Sequence, residues 1–164
     1  MRRPIALSAS RAILYGTLVV GTLDALDAIV FFGLRSGATP VRIFQGIAAG
    51  WLGRGPSTSG IFASALSRAA LGLATHYFIA FGIVVTYFVI SRRLRVLTRH
   101  PIPCGLAYGL LAYLVMNRVV IPLSAIGGPA AWPALPVLAN GLLIHAFGVG
   151  LPSAIVAARA KTLG

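Results

Sequence analysis

Four blocks of apolar residues, each about as long as a bilayer's hydrocarbon core is thick, constrain this chain more than anything else in it. They run over about Ala12–Leu34, Ala69–Ile90, Pro103–Leu123 and Pro133–Ala158. A helix needs roughly 20 apolar residues to cross the core, because each adds only about 1.5 Å. Lipid offers the backbone no hydrogen-bond partner, so a spanning segment of this kind must satisfy its own N–H and C=O groups as a helix. The blocks are apolar all round. With 58% hydrophobic and 10% charged residues, and a mean hydropathy of +0.91, the chain falls outside the soluble globular range. The expected fold is an all-α integral membrane four-helix bundle, with residues 1–164 forming one domain.

The first block follows Met1-Arg2-Arg3 and could pass for a signal peptide. Asp24 and Asp27 interrupt what would be its cleavage region, and the apolar run continues to Leu34. It reads as an uncleaved first helix.

A formal charge of +12 suggests nucleic acid, and the placement of the charges argues against it. The imbalance comes from having 2 acidic residues against 14 basic ones. The basic residues sit between apolar blocks, where positive-inside topology and anionic lipid headgroups account for them. No nucleic-acid partner is expected. Cys104, the one cysteine, offers neither a disulfide framework nor a CxxC motif, and reads as a small buried apolar residue.

Orientation follows from the same charges. Arg2, Arg3, Arg11, Arg92, Arg93, Arg95, Arg99, Arg159 and Lys161 would share one side; Arg35, Arg42, Arg54 and Arg68 would lie on the other. The balance predicts cytoplasmic N- and C-termini. Trp51 and Trp132 then fall at the outer interface, as belt residues do.

The first connection carries a short helix of its own, over about 40–52. Pro40 can open it, and Val41, Phe44, Ile47, Ala48 and Trp51 recur at helical spacing. Arg42, Gln45, Gly46 and Gly50 occupy the other side. The pattern predicts an amphipathic helix at the outer interface, with Gly46-x-x-x-Gly50 set against a neighbour and Arg42 or Gln45 placed to gate an outer mouth. Ser57 to Arg68 should then lead into the second span as an amphipathic extension. Gly127-Gly128-Pro129 predicts a tight turn in the third connection. Gly105-x-x-x-Gly109 predicts close packing within the bundle. Pro122, Pro136 and Pro152, near or inside spans, predict kinks.

Polar residues in hydrocarbon are costly and need a reason. Asp24 and Asp27 share a face of the first span; His76 lies on the second, Asn117 and Arg118 on the third, Asn140 and His145 on the fourth. Helical rise puts Asp27, His76 and Arg118 about 5–8 Å to the outer side of their span centres, with Asn140 at a similar height and Asp24 and His145 nearer the middle. One polar layer drawing on all four spans is expected. Its structural reading is a buried network in which Arg118 balances an aspartate and polar pairs hold helices together. Its functional reading is a path for a proton or small solute, with Asp24 and Asp27 as carriers and histidine as a second titrating group. A haem between His76 and His145 needs the two at one depth, and the rise leaves them about a turn apart. No cofactor or metal is therefore expected. Hydrolase motifs such as GxSxG and HExxH are absent, and paired-carboxylate enzymes usually bring their carboxylates from different segments, unlike Asp24 and Asp27, so no enzymatic activity is expected.

Gly21-Thr22-Leu23-Asp24, Pro40-x-Arg42-x-x-Gln45-x-Ile47-Ala48-x-Gly50-x-Leu52-Gly53, His76, Ser91-Arg92-Arg93, Gly105-x-x-Tyr108-Gly109 and Met116-Asn117-Arg118-Val119-Val120-x-Pro122-Leu123-Ser124 come in that order. Together they resemble a family of small, uncharacterised bacterial four-span membrane proteins, a domain of unknown function. The resemblance implies four helices in the bacterial inner membrane, and brings no reaction, substrate or cofactor. The function expected is a non-enzymatic accessory or scaffold component. Its partners would be the lipid bilayer and another membrane protein or a second copy of itself. The alternative is a small proton-coupled or solute transporter using Asp24 and Asp27.

Overall fold

The computed structural model describes residues 7–55, 60–127 and 131–160. Arg2, Arg3, Lys161, Ser57 and the Gly128-Pro129 part of the third connection lie outside them.

Among the described residues the chain is helical apart from an isolated backbone bridge between Leu7 and Ala160. Helix α1 is Ala9–Ser36, α2 Pro40–Leu52, α3 Ala65–Arg93, α4 Val96–Arg99, α5 Pro101–Leu123 and α6 Leu135–Arg159. Helices α1, α3, α5 and α6 have 28, 29, 23 and 25 residues and are long and apolar enough to cross a membrane. At about 1.5 Å per residue they are roughly 35–44 Å long, more than the hydrocarbon core requires.

Caps fix where the helices begin and end. The hydroxyls of Ser8, Thr39 and Ser64 accept from the backbone N–H groups of Arg11, Arg42 and Ser67, each satisfying a first-turn donor. Gly37, at φ 66°, closes α1 in the left-handed conformation that favours glycine. The Ser64 cap also corrects an expectation: α3 starts at Ala65, and residues 60–64 are turn, not helical extension.

Prolines in the spans leave continuous helices with π-helical stretches, Met116–Val120 in α5 and His145–Gly150 in α6. Pro122 and Pro152 lie just beyond them. A proline has no N–H to give and crowds the carbonyl four residues back; the wider π turn relieves both. Pro136, by contrast, sits in the first turn of α6, where its missing N–H costs nothing.

Glycines decide which helices touch. On Gly105 a Cβ would lie 2.8 Å from Ala154, and on Gly109 it would run into the His145 carbonyl oxygen. Gly150 meets the Gly105 carbonyl in the same way, so α5 and α6 cross backbone to backbone, as Gly105-x-x-x-Gly109 predicts. Helix α1 packs between α3 and α6, around buried Val20, Val84 and Val149. Helix α2 lies across α3, where Gly72 admits the Phe44 carbonyl. Its buried residues are Ala48 and Ala49. Of the Gly46-x-x-x-Gly50 pair, Gly50 lies against the end of α5, where a Cβ would come 3.9 Å from Ser124 Cβ, while a Cβ on Gly46 meets nothing within 4 Å.

The two ends of this assembly differ. At the α4 end, Leu7 N–H donates to the Arg159 carbonyl, and the Arg92 guanidinium bonds the Ala157 carbonyl while lying 4.4 Å from the Phe88 ring centre. At the α2 end, Ala125 N–H donates to the Gly50 carbonyl, tying α2 to the end of α5. The described termini therefore lie together, opposite α2.

Candidate functional site

The Gly21–Asp24 segment of α1 fits against His76 and Tyr77 of α3. Gly21 leaves room for the Tyr77 ring, which a Cβ would approach to 2.6 Å. The Thr22 hydroxyl lies 3.0 Å from the Tyr77 hydroxyl. His76 Nε2 lies 2.7 Å from the Gly21 carbonyl oxygen. A carbonyl only accepts, so Nε2 carries a hydrogen. Nδ1, the other nitrogen, faces Asp24 Oδ2 at 3.9 Å.

His145 approaches the same carboxylate from α6, with Nδ1 4.0 Å from Asp24 Oδ1. That nitrogen donates to the Gly141 carbonyl at 2.9 Å, one turn back in its own helix. The π stretch beginning at His145 and the glycine crossing with α5 set this ring's position, and Tyr113 stands edge-on to it at 5.3 Å. Asp24 thus sits between two histidines from two other helices. Both distances exceed a hydrogen bond and fall within ion-pair range.

With Nε2 turned to a carbonyl, His76 presents Nδ1 to the Asp24 carboxylate across a gap too wide for a direct hydrogen bond, so an acid and a base stand side by side.

Asp27 takes a different role from Asp24, although the two share a helix face. Its Oδ2 accepts from Asn140 Nδ2 at 2.7 Å, joining α1 to α6. Asn117 donates to the Tyr113 carbonyl in its own helix, and the Arg118 guanidinium lies 3.6 Å from the Trp132 ring centre. The polar residues therefore form a central Asp24–His76–His145 group, an Asp27–Asn140 clamp, and two side chains engaged near the end of α5. The carboxylate partners in this arrangement are histidines and an asparagine.

Asp24, His76 and His145 line the deep end of a cavity of about 1140 Å³. Its walls come from α1, α3, α5 and α6, and are almost wholly apolar: Phe32, Phe78, Ile79 and Val120 are typical. Helix α2 roofs it with Arg42, Ile43, Gly46, Ile47 and Gly50. The roof is held by Gln45 Nε2 donating to the Ala65 carbonyl and by Trp51 Nε1 donating to the Thr75 hydroxyl, each at 2.9 Å. Toward the α4 end the cavity is closed where Tyr108 of α5 donates to the Ile83 carbonyl of α3 at 2.7 Å and stacks edge-on against Tyr87. Toward α2, the α3 and α5 residues line the cavity and stay exposed, Phe78 at 68% and Val119 at 46%. The hollow opens sideways there, between the two helices.

Asp27, Asn117, Arg118 and Asn140 are not in its lining; Asp24, His76 and His145 are. His76 and His145 both turn toward Asp24, each with Nδ1 within 4.0 Å of its carboxylate. Among the described residues no group of three or more His, Cys, Asp or Glu side chains could hold a metal ion. Reading residues alone misses the cavity and the parts played by Gly21, Tyr77 and Thr75. Only the Gly21-to-Asp24 motif with His76 pointed that way.

No protein-family description, curated protein or solved structure matches this chain.

Proposed function

We propose that this protein is a small transporter of the bacterial inner membrane, a four-helix bundle whose cavity receives a molecule from the lipid and whose Asp24–His76 pair carries a proton. The α2 end faces outward, with α2 at the outer interface and both termini in the cytoplasm. One observation carries the reading: a hollow of about 1140 Å³ is lined by an acid flanked by two histidines. Apolar walls with a few convergent polar groups are the usual form of a small-molecule site. An ionisable residue kept in a spanning helix, facing a cavity, marks an ion or substrate path more often than a strut. The motif resemblance to small bacterial four-span proteins supports the topology and is neutral on the activity.

Proton flux into vesicles of bacterial lipids tests it. Under an imposed inward-negative potential, the wild type is expected to acidify the lumen, Asp24→Asn to abolish the flux, and Asp27→Asn to retain it. Wild-type vesicles as tight as those with Asp24→Asn would return the protein to a scaffold role.

The scaffold or accessory reading keeps one specific support, the Asp27–Asn140 clamp. It joins two spans in the way polar pairs hold membrane helices together. A stable partner in the native mass spectrum of the gently solubilised protein would favour it.

A further inference from the structure

Positive residues are disfavoured on the outer side of a membrane protein, so four arginines there call for an explanation. Three of them, Arg42, Arg54 and Arg68, line one hollow of about 610 Å³ beside the roof helix, together with Gln45 and Gly46. They come from α2, from the turn after it, and from the first turn of α3. Among the described residues no acidic side chain lines this hollow. The chain's only acidic residues are Asp24 and Asp27, the one at the far end of the large cavity and the other bonded to Asn140.

The three arginines are not equivalent. Arg68 donates Nη1 to the Gly55 carbonyl at 2.9 Å and Nη2 to the Gly53 carbonyl at 3.4 Å, so it braces the turn that carries Arg54. Its Nε is buried with no hydrogen-bond partner among the described residues. Arg42 and Arg54 are exposed. The hollow therefore has a fixed cation at its back and two free-ended guanidinium groups at its sides. Guanidinium forks match the oxygens of a phosphate.

This basic hollow adjoins the apolar cavity. Arg42 and Gly46 line both. Gly46 has no side chain to fill the passage, and a Cβ there would meet open space. The positively charged hollow and the apolar one thus meet at Arg42 and Gly46, on the exposed face of α2.

From this juxtaposition we infer that the transported molecule is a phosphate-headed membrane lipid, its headgroup held by Arg42, Arg54 and Arg68 and its chains passing Gly46 into the apolar cavity. The inference rests on the cavity being the ligand site. A free anion would use only the smaller chamber, and a neutral apolar molecule only the larger. An anionic amphiphile uses both, and supplies the charge that the chain itself lacks.

The test presents detergent-solubilised full-length protein with three probes: tail-labelled phosphatidic acid, tail-labelled diacylglycerol with the same chains, and inorganic phosphate as a competitor. Phosphatidic acid is expected to bind saturably and diacylglycerol much more weakly. The charge-removing pair Arg42→Gln and Arg54→Gln should weaken phosphatidic acid binding about 25-fold, roughly fivefold per arginine. Arg42→Lys with Arg54→Lys should restore much of it. Gly46→Trp, at an exposed position where a side chain meets nothing, should block the chains while leaving the arginines in place. Circular dichroism and gel filtration of each variant establish that it is folded.

If diacylglycerol binds as well as phosphatidic acid and the glutamine pair changes nothing, the headgroup inference falls while the cavity stands as a ligand site. If inorganic phosphate competes as tightly as the lipid binds, the ligand is a free anion. If Gly46→Trp alters the binding of no probe, the chains do not pass Gly46 and the inference falls, while the cavity stands as a site entered from between α3 and α5.

Discussion

His76 Nε2 is spent on the Gly21 carbonyl at 2.7 Å, and its opposite nitrogen is thereby aimed at Asp24. A backbone carbonyl on one helix thus orients the acid–base pair formed across two. The carbonyl contact places a hydrogen on Nε2 and leaves Nδ1 facing the Asp24 carboxylate, whereas Asp27, three residues on, has an amide to hold.

That division predicts opposite consequences for the two aspartates. Asp27→Asn or Asn140→Ala removes a charge-assisted hydrogen bond between α1 and α6 and should destabilise the protein by about 1–2 kcal/mol. Asp24→Asn should leave stability unchanged or raise it, since a costly intramembrane charge is removed. Denaturation in mixed micelles of increasing sodium dodecyl sulfate measures both. A larger loss with Asp24→Asn than with Asp27→Asn would mean that the roles are reversed.

The crossing of α2 on α3 depends on one glycine. A Cβ on Gly72 would run into the Phe44 carbonyl group, which belongs to backbone and cannot swing aside. Gly72→Ala should therefore cost about 2–3 kcal/mol or lift α2, raising amide exchange along Pro40–Leu52. Gly46→Ala, facing open space, should stay within about 0.5 kcal/mol of the wild type. Hydrogen-exchange mass spectrometry of the two variants reads the difference directly.

The spans and the short helix between the first two were legible because hydrocarbon imposes a length and a composition, and both are written locally. Gly105 and Gly109 were legible for the same reason, as a spacing on one face. The site was legible only as a list. Helical rise grouped His76 with Asp27 and Arg118 and put Asp24 and His145 nearer the middle, yet rise gives depth and not azimuth, and in the fold the His76 ring faces Asp24. The Gly46–Gly50 spacing was half informative because it marks where a backbone can approach and not whether one does; Gly50 meets the end of α5, while Gly46 borders open space. Nor could the convergence of Arg54 with Arg42 and Arg68 be read, since it depends on how a turn of the first connection folds back onto α3.

The roof of the cavity can be locked. A Cβ on Gly50 would lie 3.9 Å from Ser124 Cβ, close to the usual Cβ separation in a disulfide of about 3.8 Å. In a Cys104→Ser background, Gly50→Cys with Ser124→Cys should oxidise readily, giving a band shift on a non-reducing gel after cleavage in the connection between them. If α2 must move for the ligand to pass, flux should fall on oxidation and recover on reduction. Full flux in the oxidised protein would mean that the ligand travels only through the side opening between α3 and α5.

Which face of the membrane the cavity opens to is decided by chemistry already in the chain. The proposed orientation rests on the sequence balance of nine basic residues against four, and three of those four arginines converge on one hollow. Topological signals should therefore keep α4 in the cytoplasm despite the outer arginines. Ile61, 81% exposed beside the start of α3, and Val96, 52% exposed in α4, report the two sides. In a Cys104→Ser background, Ile61→Cys should react with a membrane-impermeant maleimide in intact spheroplasts. Val96→Cys should react only after the membrane is opened. The reverse pattern would turn the protein over. The arginine hollow would then face the cytoplasm, and its charges would be ordinary positive-inside residues, leaving the lipid-headgroup inference to stand on the two joined chambers alone.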